Sequence, residues 1–241
     1  MRKFRDYELS IELLQRYSAA SVQNASELLE EAKLLKANGH KARAYFLAVA
    51  SIEETGKAQL AFDAQGRKLN DSAVATKVRK SFEDHSAKIT AAFIPWLLAS
   101  SNIEQSAKAA IALMIDLKFG REPSMYTDVK EDGVSVQSPS GLVRPEAAED
   151  CIRLAGDCLA NARRHFEGKE PVKTTRAQDE FFAMRSTLTR EIMNSVDFWD
   201  FHIDRLKVGL SKLEESVTEY NRLYFQKHVN YKASEVDATD T

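Results

Sequence analysis

The residues with chemistry to offer fall into three short strings. In Glu53-Glu54-Thr55-Gly56-Lys57, Glu54 and Lys57 stand at i and i+3 and can pair along one helix. His85 and Lys88 repeat that spacing, so an imidazole and an ammonium share one helix face. Lys118, Arg121 and Tyr126 gather two cations and a phenol, a set suited to an anion or phosphate. Placed at about 100° per residue, Glu53 falls between Leu60 and Phe46, and Glu54 beside Leu47, Ala50 and Ala61, so neither carboxylate has an exit to water. Buried carboxylates need partners. His85 lies on a stripe with Phe82, Ile89, Ala92 and Trp96, from which it or Lys88 can meet Glu53 or Glu54 across a helix interface. The candidate catalytic residues are therefore His85, as general acid or base, with Lys88 and Glu54. Glu53, Lys57, Lys118, Arg121 and Tyr126 are the candidate binding residues. The same residues also suit a register-fixing ion pair, a satisfied core histidine and a helix end whose dipole welcomes cations. No metal and no cofactor is expected, because lysines stand where the second ligand of a Glu-x-x-His metal helix would be.

These groups have to be positioned by helices. Residues 10–37 carry apolar positions at helical spacing and stop at Asn38-Gly39. The next helix, from about His40 to Gln65, is apolar nearly all round except for Glu53, Glu54 and Lys57, and so belongs in the middle of a bundle. Gly56 inside it points to close approach of another backbone or a ligand. A third helix follows Asn70-Asp71-Ser72 and runs on to about Ser100, with its kink or break near Pro95. The fourth, to Phe119, turns Ile103, Ala107, Ala110, Ile111, Met114 and Leu117 inward. A long loop follows, with a short hairpin at Asp132-Gly133, and then a fifth helix from Pro145 to Phe166. Beyond Pro171 the spacing of Trp199, Ile203, Leu206, Leu210, Leu213, Val217, Tyr220 and Tyr224 is a heptad seam, which predicts one long helix. Its partner is either the preceding segment folded back or the same helix of a second subunit. The fold class is all-α: a bundle over residues 1–170, a long-helix hairpin or coiled-coil appendage over 171–228, and a disordered tail over 229–241.

With 241 residues and 44% hydrophobic content the chain can bury a large core. Its 34 basic and 36 acidic residues leave no general electrostatic case for nucleic acid or an anionic membrane. No stretch is long and apolar enough to span a bilayer, and the N-terminus has no apolar signal core. Cys151 and Cys158, seven apart on one helix face, are too distant to bridge and read as buried thiols of a reducing compartment, which predicts a cytoplasmic protein.

Together, the strings Ala44–Ala58, Phe82-x-x-His85-x-x-Lys88 and Lys118-x-x-Arg121 through Tyr126 and Asp128 resemble the abortive-infection AbiV family, placed among the HEPN-like all-helical proteins. The resemblance covers about Leu9 to Phe166. It implies a HEPN-like bundle and a role in bacterial defence against phage, in which the infected cell blocks phage development, often through RNA or translation. Glu53, Glu54, Lys57, His85, Lys88, Arg121 and Tyr126 match the family's recurring positions. HEPN ribonucleases carry arginine four to six residues before histidine, and Arg79–His85 and Arg222–His228 have that form. On one regular helix, however, Arg79 would point about 120° away from His85. The reading favoured by the sequence is a polar pocket acting through a phage or host protein, or RNA; the alternative is a metal-independent ribonuclease.

Overall fold

The computed structural model describes residues 7–210 and 212–231, and it divides into two compact units. One comprises the described residues of Met1–Leu69 with Val78–Val172, the other those of Asn70–Lys77 with Lys173–Thr241.

The first unit is a helical bundle. Helix α1 (Ile11–Ala37) begins where the Leu13 N–H donates to Ser10 Oγ (3.1 Å), and it ends at Asn38 and at Gly39, whose φ of 81° suits glycine alone among ordinary residues. Helix α2 (Lys41–Ala64) returns alongside it. Small residues hold the two close: Ser18 Oγ donates to the Ala58 carbonyl (3.0 Å) and Ser51 Oγ to the Ala25 carbonyl (2.7 Å). As its apolar circumference requires, α2 is covered on several sides, by α1, by α4 (His85–Leu98) and by α7 (Pro145–Phe166). Leu29, Val49, Ile52, Ile89, Phe93, Cys151 and Leu159 form the core between them. Both cysteines are free and buried, and burial pushes each thiol up to about 12, so neither is a ready nucleophile.

Two expectations for this unit need correction. The third helix is not continuous to Pro95. It stops at α3 (Ser72–Glu83), and Asp84, in extended conformation, caps α4 by accepting the Ala87 N–H (3.1 Å); Pro95 is carried inside α4. A short acceptor side chain at an extended residue is a better helix start than a proline is a stop. Helix α5 (Ile103–Gly120) follows, but of its expected inward positions Ile103 and Ile111 are exposed, and only Ala110 and Leu117 are buried. Within the bundle α5 packs chiefly on α4, so one narrow face suffices to bury that contact. The loop beyond carries the expected hairpin, β1 (Asp128–Val129) antiparallel to β2 (Val136–Gln137), turned by Gly133 and by Asp132, whose carboxylate accepts the Val134 and Ser135 N–H groups. A single turn, α6 (Pro139–Leu142), leads into α7.

The second unit holds short helices: α8 (Arg176–Ala183), α9 (Ser186–Met193), α10 (Val196–Lys207) and α11 (Leu213–Leu223). The single long heptad helix is overturned. Gly209, at φ 81°, ends α10 in a Schellman motif, with the Leu210 N–H on the Arg205 carbonyl (2.9 Å) and the Gly209 N–H on that of Leu206 (3.0 Å). The heptad positions Trp199, Ile203, Leu206 and Leu210 are exposed, while Phe198, Phe201 and His202 turn inward against Ile192, Val217 and Tyr220. Of the expected disordered tail, Tyr231 packs on this core and its hydroxyl donates to Asp204 Oδ2 (2.8 Å), and residues 232–241 lie outside the described residues.

Candidate functional site

The approach of α2 to α4 builds the site. At Gly56 a Cβ would stand 1.7 Å from the Lys88 carbonyl oxygen, so only glycine lets the helix backbones come this close. One turn back on α2, Glu53 then faces Lys88, and the Asp84 cap starts α4 so that His85 takes the same side as Lys88. Arg121, the C-cap of α5, closes the group from a third element; its carbonyl accepts the Ser124 hydroxyl (2.6 Å), which holds the turn that follows.

Glu53 is the centre. Its Oε2 accepts from Lys88 Nζ (2.8 Å) and meets His85 Nδ1 (2.7 Å), and its Oε1 lies 2.9 Å from Arg121 Nε. The Arg121 N–H is poorly aimed, so that contact is an ion pair and Oε1 has no hydrogen-bond donor. Side-chain exposure is 7% for Glu53 and 8% for Lys88, against 51% for His85. Burial alone would raise the Glu53 carboxyl, but the hydrogen bonds from Lys88 and His85, with their charges, outweigh it and leave the group below its ordinary value. Glu53 is thus ionised and can only accept. At 2.7 Å from that acceptor His85 Nδ1 is the donor, although Lys88 Nζ also lies 3.3 Å from it, and Nε2 is the ring position left to exchange a proton with a ligand.

His85 and Lys88 also line a cleft of about 790 Å³, walled by Tyr7, Leu9, Leu13, Leu14, Tyr17 and Phe82 together with Arg79 and Glu83. Tyr17 and Phe82 meet edge to face (5.0 Å), and burial, with Glu54 nearby, pushes the Tyr17 hydroxyl up to about 12. Arg79 donates to the Tyr7 carbonyl (2.8 Å).

The structure therefore brings together four of the sequence candidates, Glu53, His85, Lys88 and Arg121. Glu54 is turned away: it pairs with Lys57, whose ammonium lies 5.9 Å from the Tyr17 ring. Lys118 is exposed on α5, and Tyr126 is exposed over a hollow of the loop beside Glu122, Pro123 and Asp128. Sequence reasoning missed the aromatic wall and set Arg79 aside. The signal for Arg79 was Asp84, a strong helix-start residue directly before His85; with the helix broken there, the 120° separation no longer applies and both residues reach one cleft. Among the described residues no group of three or more His, Cys, Asp or Glu side chains is gathered for a metal ion, and no helix is long and apolar enough to cross a membrane.

No curated protein and no solved structure matches the chain. The family model HEPN_AbiV, described as AbiV, matches residues 13–160, a span that holds the α2–α4 crossing and all four clustered residues. The chain belongs to the HEPN_AbiV family.

Proposed function

We propose that this chain is an abortive-infection defence protein that blocks phage development through the Glu53–His85–Lys88–Arg121 cluster and its cleft, where a phage or host protein or an RNA is engaged. Family membership supplies the defence role. One observation carries the working centre: a buried carboxylate collects three basic groups from two further elements, yet His85, the most open of the three to water, lines the cleft. A cluster serving only to fix helix register has no need of a half-exposed imidazole.

A second reading, metal-independent ribonuclease, is favoured by the break at Asp84, which turns Arg79 and His85 into the same cleft. In that chemistry His85 Nε2 takes the proton of a ribose 2′-hydroxyl. The oxygen attacks the adjacent phosphorus, the P–O5′ bond breaks, and the proton passes to the leaving 5′ oxygen. Lys88 and Arg79 border the place where phosphate charge builds up. Glu53 holds the imidazole in the required tautomer.

Infection of cells carrying the wild type, Glu53→Gln, Arg79→Ala or His85→Ala, with RNA integrity followed over time, separates the readings. Loss of protection in Glu53→Gln and His85→Ala is expected. RNA fragmentation that needs both His85 and Arg79 supports the ribonuclease; intact RNA in protected wild-type cells supports binding alone. Full protection by every variant overturns both.

A further inference from the structure

The break at Asp84 turns one more charged side chain into the cleft. Arg79 and Glu83 stand one turn apart on α3 and share its face, and both line the cleft that His85 and Lys88 enter from the start of α4. Glu83 is exposed, and its carboxylate makes no hydrogen bond or ion pair among the described residues. Two tyrosines flank it. Burial raises both hydroxyls, and the Glu83 charge adds to the rise in each, against Arg79 at Tyr7 and together with Glu54 at Tyr17. Tyr17 is locked edge to face against Phe82, whereas Tyr7 is exposed, with the Arg79 guanidinium 5.9 Å from its ring centroid. At about 790 Å³ the cleft lies within the roughly 300–1,000 Å³ of small-ligand sites, room for a nucleotide and its flanking phosphates.

We propose that, on the reading in which the cleft takes RNA, it holds a guanine base beside the reacting phosphate, stacked on Tyr7 and read along its Watson–Crick edge by Glu83. Stacking on Tyr7 suits any base and sets no preference. The preference comes from Glu83, because an ionised carboxylate only accepts, with two oxygens side by side. Guanine presents two parallel donors, N1–H and the 2-amino group, and engages both oxygens. Cytosine and adenine each place a ring-nitrogen acceptor next to their amino donor, and uracil flanks its single N–H with two carbonyls. In all three a carboxylate oxygen meets a lone pair and goes unpaired. Arg79 lies against the Tyr7 ring and keeps positive charge next to the stacked base, where the phosphate follows. An arginine of a protein partner also has a flat face and two donors for Tyr7 and Glu83. It would, however, bring a cation into a cleft already lined by Arg79 and Lys88, whereas a nucleotide brings the opposite charge.

The test is binding of the purified full-length chain to short fluorescent oligouridines in which one central residue carries each base in turn and lacks its 2′-hydroxyl, so that it is not cleaved there. The guanine oligonucleotide is expected to bind about tenfold tighter than the others. Tyr7→Leu is expected to weaken all of them about tenfold without changing their order. Glu83→Gln is expected to turn the preference to adenine, because a glutamine amide offers one donor and one acceptor, the complement of adenine's N1 and 6-amino group. That reversal is the decisive result, since loss of folding cannot produce it. Equal binding of all the bases, or a guanine preference indifferent to Glu83→Gln, overturns the subsite while leaving RNA as the ligand. Guanosine 5′-monophosphate competing as well as the guanine oligonucleotide overturns the strand in favour of a free nucleotide. No binding of any oligonucleotide overturns the RNA reading itself and the subsite with it, including the case in which the cleft takes an arginine of a phage or host protein instead.

Discussion

Replacing Gly56 by alanine tests the crossing on which the site depends. The added methyl would lie 1.7 Å from the Lys88 oxygen, 2.6 Å from its carbonyl carbon and 3.0 Å from the Ala92 nitrogen, where ordinary contacts begin near 3.4 Å. All three atoms are backbone, so no rotamer change relieves the clash, and α4 must retreat from α2 by more than an ångström. The seam there is dry and full, with Ile52, Ile89, Ala92 and Phe93 buried. Overpacking of this kind reaches about 3 kcal/mol or more. The better helix propensity of alanine returns about 1 kcal/mol. The net expectation is a loss of about 2 kcal/mol or more, which for a chain of this size lowers Tm by about 4–8 °C. Thermal and denaturant unfolding would measure it. Gly156→Ala in α7 is the control, because its Cβ would meet only Leu29 Cδ2 at 3.9 Å, an ordinary contact. A Gly56→Ala protein as stable as the wild type, or more so, would refute the close crossing and with it the placement of Lys88 on Glu53.

Further outcomes follow from the same geometry. Lys88→Met removes one partner of a buried pair and should cost about 3–5 kcal/mol, and Glu53→Gln/Lys88→Met together should cost much less than the two single changes combined, as a double-mutant cycle in denaturant would show. Because the Glu53 carboxyl is held below its ordinary value of 4.5, its stabilising contribution is complete above that value and is lost as pH falls through the lowered one. Glu53→Gln should therefore flatten the acid limb of the stability profile. Asp63 has the opposite sign: burial raises it, against the hydrogen bond from Gln59 and the nearby His165 and Arg67, so its charged form is the costly one. Asp63→Asn should gain stability at neutral pH and lose that advantage in acid, measured by unfolding at several pH values. In the second unit, His202 Nδ1 and Ser216 Oγ meet at 2.8 Å in a buried setting, and Ser216→Ala should cost about 1–3 kcal/mol in equilibrium unfolding.

What was legible in the sequence was whatever rested on local patterning. The apolar circumference of residues 44–62 announced a central helix, and Gly56 within it announced a close approach. The choice between Glu53 and Glu54 was not legible, because both sit on apolar faces and only the direction from which α4 arrives decides which one meets His85. Tyr126 and Lys118 were out of reach for a similar reason: their positions follow from where a long loop and a half-covered helix settle, which periodicity does not encode. The heptad seam misled because its spacing is carried across Gly209, whose positive φ ends the helix and rotates Phe198, Phe201 and His202 into the core instead. Arg79 was discounted by treating residues 72–100 as one helix, although Asp84 before His85 already marked the start of a new one.

The most direct measurement of the account is the efficiency of phage plaquing on cells expressing His85→Ala beside cells expressing Glu54→Gln, with both variants shown to be folded by circular dichroism. His85 faces the cleft on Glu53, whereas Glu54 is spent on Lys57. His85→Ala is expected to lose protection while Glu54→Gln keeps it. Protection retained by His85→Ala and lost by Glu54→Gln would contradict it.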